Sequence, residues 1–179
     1  MFDPKSNLTL GYHLFLEPTG DVAAELQTIV ATLAREYNGP VFVPHVTVAA
    51  RIPSEQGEES IVAKTETLLK ECSAFPVTLE DVGMGEEFFC ALYMKVQKTS
   101  ALEALHTRAN EIFALSDRGV YVPHVSLLYG NFSAEEKEII PTFALLKGVS
   151  FLVDRASLYR TEGEASQWQK VREFPFQTE

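Results

Sequence analysis

The chain has 179 residues, 46% of them hydrophobic and 22% charged, which fits an ordinary globular protein long enough for one domain with a buried core. Fifteen Lys and Arg against 25 Asp and Glu give a net charge of −10, which repels a polyanion and argues against tracking along nucleic acid. A local pocket need not share that sign, so a small phosphate ligand stays open. No apolar run approaches the roughly 20 residues of a membrane span. Met1 to Asn7 lacks a secretory pattern, so a cytoplasmic protein is expected, with the nucleus as the alternative. Cys72 and Cys90 are too few and too isolated for a disulfide framework or a zinc knuckle, and read as two buried thiols.

In chain order, Tyr12 to Leu16 reads as a strand. Asp21 to Asn38 carries Leu26, Ile29, Val30 and Leu33 at helical spacing, between an N-cap at Asp21 and a C-cap glycine at Gly39. Val41 to Val48, VFVPHVTV, is rich in β-branched and aromatic residues and predicts a strand. A helix over Glu55 to Cys72 and a strand over Phe75 to Val82 follow, then a turn over Gly83 to Glu87 into a strand at Ala91 to Val96. Ser100 to Arg118 predicts a second amphipathic helix, with Leu102, Leu105, Ala109, Ile112 and Phe113 on one face and caps at Ser100 and Gly119. Val120 to Leu127, VYVPHVSL, predicts another strand. Ser133 to Leu146 opens on a capping box of Ser133 and Glu136 and is ended or kinked by Pro141. A strand over Val149 to Tyr159, a turn over Glu162 to Ser166 and a last strand complete the chain.

The two octapeptides are the informative feature. Five of eight positions are identical, and the offset of 79 residues between His45 and His124 extends upstream to the preceding helix and strand. The repeated unit is strand, helix, His-containing strand. It predicts an α+β fold with two pseudo-symmetric lobes in one domain, each an antiparallel sheet with outer helices, around a central cleft. Side chains two apart on a strand share a face, so His45 falls with Thr47 and His124 with Ser126. Two imidazoles can supply a general base and a general acid near neutral pH. The hydroxyls can donate to non-bridging phosphoryl oxygens. Symmetry leaves open which histidine takes which role.

A His-x-Thr/Ser motif used twice, about 80 residues apart in a duplicated chain, resembles the 2H phosphoesterase superfamily. The wording Val-Pro-His-Val-Thr-Val and Val-Pro-His-Val-Ser-Leu-Leu-Tyr-Gly is similar to its cyclic phosphodiesterase branch. The resemblance spans Tyr12 to Phe174. It implies metal-independent hydrolysis of nucleoside 2′,3′-cyclic phosphates or ADP-ribose 1″,2″-cyclic phosphate, with no cofactor, no metal ion and catalytic residues His45, His124, Thr47 and Ser126. It also implies that Tyr129 contacts the phosphate or ribose. The expected partner is that small molecule, bound by a monomer, with no long nucleic acid and no membrane.

Phe88, Phe89 and Trp168 fall in corresponding turn-to-strand segments, where aromatic faces could sandwich a base at roughly 1–3 kcal/mol per contact. Core packing is the alternative for each. His13 and His106 read as ordinary histidines. Arg51, Arg155 and Arg160 are candidates for a 5′ or terminal phosphate, with solvated surface as the plainer reading. A metallohydrolase would want a third ligand that the motifs do not offer. A serine hydrolase would want a G-x-S-x-G elbow, which the sequence lacks. The competing functions are a 2H enzyme for RNA ends or 2′,5′-linked oligonucleotides, and a non-catalytic nucleotide-binding module.

Overall fold

The computed structural model describes residues 3–115 and 120–177. Its first half runs β1 (Tyr12–Leu16), α1 (Gly20–Tyr37), β2 (Val46–Ile52), α2 (Glu58–Leu69) and β3 (Phe75–Gly83). The second continues with β4 (Leu92–Val96), α3 (Ser100–Ile112), β5 (His124–Leu128), α4 (Ala134–Ile139), β6 (Ser150–Val153), β7 (Arg155–Arg160) and β8 (Gln169–Pro175). The strands form one antiparallel sheet in the order β6-β3-β4-β5-β2-β1-β7-β8. The expectation of two separate sheets is thereby corrected. The two His strands meet through the pair Val46 and Val125, and this joins the halves into one continuous sheet.

The halves of the sheet are not the halves of the chain. β3 belongs to the first half in sequence yet pairs with β4, and β7 of the second half pairs with β1. The helices cross over in the same sense: α1 packs on β5, and α3 packs on β2. One hydrophobic cluster runs through both halves, from Leu14, Leu26 and Val48 to Leu79, Met94, Leu102 and Leu127. All five residues of β1 are buried. Full burial of a leucine such as Leu14 is worth about 1.5–3 kcal/mol, so the crossing helices are held mainly by apolar contact.

Several boundaries differ from expectation for local reasons. Each His strand begins at the histidine or just after it, because Pro44 and Pro123 have no N–H to give a ladder. The stretch expected as one strand over Val149 to Tyr159 breaks at Asp154, where the chain leaves β3's flank for β1's. Gly57, at φ +79, separates a short 3₁₀ turn from α2, and the helix expected to Leu146 stops at Ile139, ahead of Pro141. The capping box at Ser133 and Glu136 is present. Thr19 and Thr99, not Asp21 and Ser100, hold the N-cap positions of α1 and α3. Asn38, in the left-handed conformation, caps the C-terminus of α1 one residue before Gly39. α3 ends at Ile112, and its expected cap, Gly119, lies outside the described residues. Cys72 and Cys90 are free thiols and only half-buried.

Candidate active site

The Pro-His step fixes both imidazoles in the same way. His45 Nδ1 lies 2.6 Å from the Val43 carbonyl, and His124 Nδ1 lies 2.9 Å from the Val122 carbonyl. A carbonyl only accepts, so each Nδ1 carries the proton and each Nε2 is left to exchange one. Both rings line a single cavity of about 490 Å³ on the central strands. The same cavity holds Thr47, Ser126, Tyr129, Phe89 and Trp168, so seven of the eight residues singled out in the sequence come together.

The two imidazoles meet different surroundings. His45 is 8% exposed and stacks on Phe15 at 3.6 Å. Burial lowers its pKa to about 4, with His124 adding to the effect and the Val43 carbonyl and Glu17 opposing it. His124 is also lowered by burial, against the Val122 carbonyl and the Glu87 carboxylate. Its Nε2 lies 3.4 Å from Cys90 Sγ. Burial pushes that thiol up to about 11, with Glu87 adding, so Cys90 is a protonated, weak donor to His124.

The hydroxyls also differ. Ser126 Oγ donates to the Phe89 carbonyl at 2.8 Å. Thr47 instead has its main-chain carbonyl held by the Tyr121 hydroxyl at 2.9 Å. Tyr129 stacks on Phe42 at 3.6 Å, and burial raises its phenol well above the usual range, so it stays a donor at neutral pH. Trp168 is 5.8 Å from Phe89 and 6.4 Å from His13, and its buried indole N–H has no hydrogen-bond partner among the described residues. Phe88 lines a neighbouring cavity beside Tyr37 and Gly130 rather than this one. Residues 88–90 form a 3₁₀ turn at the end of the turn-to-strand segment.

Seven lining residues were missed or underrated, among them His13, Phe15, Glu87, Cys90 and Arg51. His13 and Phe15 share a face of β1, a period-two signal that could have found them once β1 was placed beside β2. His13 Nδ1 is 2.5 Å from Thr161 Oγ1, which anchors the ring at the cavity wall. His106 proves to be a support. Its ring stacks on Tyr121 at 3.7 Å, Nδ1 donates to the Val48 carbonyl at 2.7 Å, and Nε2 accepts from Asn110 at 2.9 Å. With Tyr121 it engages the carbonyls of Val48 and Thr47 on β2. Arg155 is spent on Asp154 and Glu173, and Arg160 on Glu58 and Tyr12, and neither lines the cavity.

Residues 11–165 match the 2′-5′ RNA ligase superfamily, and the chain belongs to that superfamily, the 2H phosphoesterases. A cyclic phosphodiesterase of Arabidopsis thaliana is 28% identical over 160 residues, covering 86% of each chain. Among solved structures, the protein TT0787 of Thermus thermophilus aligns with a TM-score of 0.68 at 16% identity, over 94% of this chain and 98% of that one. E. coli LigT complexed with 3′-AMP aligns at 0.62 and 18%, over 97% and 100%. At those identities the solved structures establish the fold alone. The superfamily and the curated relative support phosphodiester hydrolysis as the activity class.

Proposed function

We propose that the protein hydrolyses a cyclic phosphodiester, a nucleoside 2′,3′-cyclic phosphate or ADP-ribose 1″,2″-cyclic phosphate, by two-histidine acid–base catalysis without a metal ion. The observation that carries this reading is the matched pair of imidazoles in one cavity, each with Nδ1 tied to the carbonyl two residues back. Water attacks phosphorus and gives its proton to a neutral Nε2. The bond from phosphorus to one ribose oxygen breaks, and that oxygen takes the proton of the other imidazolium. His45, held neutral by burial, is the base. His124, with Glu87 favouring its charged form, is the acid. Thr47 and Tyr129 donate to the phosphoryl oxygens, and Phe89 and Trp168 flank the base.

The deciding experiment is product analysis on the four nucleoside 2′,3′-cyclic phosphates and on ADP-ribose 1″,2″-cyclic phosphate, in EDTA, with the phosphate position resolved. Turnover to a single monophosphate regioisomer is the expected result. Binding without turnover would make the cavity a nucleotide-binding module. Loss of activity in EDTA, restored by a divalent metal, would replace the two-histidine mechanism by a metal-assisted one.

A further inference from the structure

Two observations mark the walls formed by Phe89 and Trp168 as movable. Their ring centroids are 5.8 Å apart, whereas a base stacked about 3.5 Å from each ring needs them about 7 Å apart. The buried Trp168 indole N–H also has no hydrogen-bond partner among the described residues, a cost that a fixed wall would avoid. The two rings belong to different turns: Phe89 to the 3₁₀ turn before β4, and Trp168 to the end of the turn at Ala165–Gln167. One N-terminal segment touches both. The Pro4 carbonyl accepts from the Phe88 N–H at 2.9 Å, and Lys5 Nζ lies 3.5 Å from Glu86. The Lys5 carbonyl takes a further bond, at 2.9 Å, from Asn131 in the loop beyond Tyr129. At the second turn, the Asn7 amide donates to Glu164 at 2.9 Å, and Thr9 and Gly163 exchange main-chain hydrogen bonds at 2.9 and 3.0 Å. The Glu164 side chain also accepts from the Gln167 N–H, next to Trp168. Thr9 itself lines the cavity. No side chain from Asp3 to Leu8 is buried, so the segment is held mainly by these polar contacts. It precedes residue 11, where the match to the superfamily begins.

We infer that residues 4–9 form a strap that sets the width of a base-binding slot between Phe89 and Trp168, with Asn7 as its positioning residue. This rests on the base contact of the proposed function and names what controls it. The strap joins the two turns across the rim and limits how far the walls part. An opening of about 1 Å admits a flat ring and keeps both faces in contact with it. Without the strap the walls part further, and a base stacks on one of them alone. The histidines are fixed by the sheet at the start of β2 and β5, so the strap acts on binding of the base and not on the chemistry at phosphorus.

The test uses Asn7→Asp, which sets a second carboxylate against Glu164 at unchanged size, together with Asn7→Ala and deletion of residues 2–7. Each is assayed on adenosine 2′,3′-cyclic phosphate and on the base-free methyl riboside 2,3-cyclic phosphate. Trp168 is the sole tryptophan, so its fluorescence reports the slot directly, through acrylamide quenching and titration with adenosine 2′-monophosphate. Asn7→Asp and the deletion are expected to raise KM for the adenosine substrate about fivefold or more and to weaken the monophosphate equally. Their kcat and their KM for the base-free substrate stay within about twofold of wild type, and acrylamide reaches Trp168 more readily. Asn7→Ala removes one exposed hydrogen bond, so it folds as wild type and shifts the same readouts less. Equal rises in KM on both substrates would overturn the inference, as would unchanged Trp168 quenching and nucleotide KM in Asn7→Asp. Adenosine 2′-monophosphate that leaves wild-type Trp168 fluorescence unaltered would overturn it too, while turnover would keep the phosphodiesterase reading standing. Wild type that hydrolyses neither substrate would defeat that reading instead, and the nucleotide titration of the same variants still decides the strap.

Discussion

His45 and His124 leave the same Val-Pro-His-Val backbone with the same Nδ1 hydrogen bond, yet they reach different walls. Phe15 lies flat on His45 at 3.6 Å and leaves it 8% exposed. His124 meets the Cys90 thiol at 3.4 Å, the Tyr93 ring at 5.0 Å and the field of Glu87. A duplicated motif supplies two equal groups, whereas hydrolysis by acid and base wants two unequal ones. The inequality comes from residues outside the motif: Phe15 on β1, and Glu87 and Cys90 in the turn before β4. The hydroxyls repeat the pattern, with Ser126 bonded to Phe89 and Thr47 steadied through its carbonyl by Tyr121.

The largest test of that contrast is removal of each imidazole. His45→Ala and His124→Ala are each expected to cut kcat/KM by about 10²–10⁴-fold. The double variant should fall little further, because the pair acts as a unit. Steady-state kinetics on an authentic substrate measure this, and a variant at wild-type rate would break the two-histidine scheme. Next come the hydroxyls: Thr47→Ala should cost up to about 10²-fold, the lower end of the loss for an oxyanion donor, and Ser126→Ala less, because its one proton is given to the Phe89 carbonyl. Ser126→Ala also leaves the Phe89 carbonyl without its donor, so its melting curve should fall by about 1 kcal/mol while that of Thr47→Ala holds.

The pH response sharpens the comparison further. The kcat/KM profile should be bell-shaped and lie on the acid side of 6.5, with its lower limb near the His45 value of about 4. For stability the sign is fixed by proton binding. Between about 4 and 6.5 the unfolded chain binds a proton at residue 45 that the folded chain does not. The stabilising contribution is therefore full above 6.5 and is lost as pH falls through 4. His45→Ala should flatten that part of a Tm-against-pH curve. The smallest expected effect is that of Tyr121→Phe, about 1 kcal/mol of stability and less than about tenfold in kcat, read from melts and kinetics of the same preparation.

The His octapeptides were legible because identity at a fixed offset survives without any knowledge of strand order. The single sheet was not, since it depends on β3 and β7 each leaving its own half of the chain, and no local pattern encodes a distant partner. Strand-forming residues run up to both sides of Asp154, so Val149 to Tyr159 read as one strand, although the apolar phase shifts there from Phe151 and Val153 to Ala156 and Leu158 and the stretch serves both flanks. The offset of 79 set His13 opposite Leu92 and so hid its place at the cavity. Arg51 was one of three equal arginines in the sequence. The left-handed conformation it takes at a bulge in β2 leaves no compositional trace, and the ion pairs that Arg155 makes with Glu173 and Arg160 with Glu58 join residues far apart in sequence.

The exchange of strands between halves also bears on how the chain comes to be folded. β1 has its outer neighbour in β7, and the pair Tyr12 and Arg160 stands 148 residues apart in sequence. During synthesis from the N-terminus, the apolar segment YHLFL waits with one edge unpaired until β7 and β8 have emerged. Such distant pairing makes folding slow and late, whatever the final stability. A chain cut at Lys147 would keep both histidines and both hydroxyls, yet it would expose that edge and is expected to aggregate. The C-terminal hairpin, which brings only Trp168 to the cavity, is thus what covers the outer edge of β1.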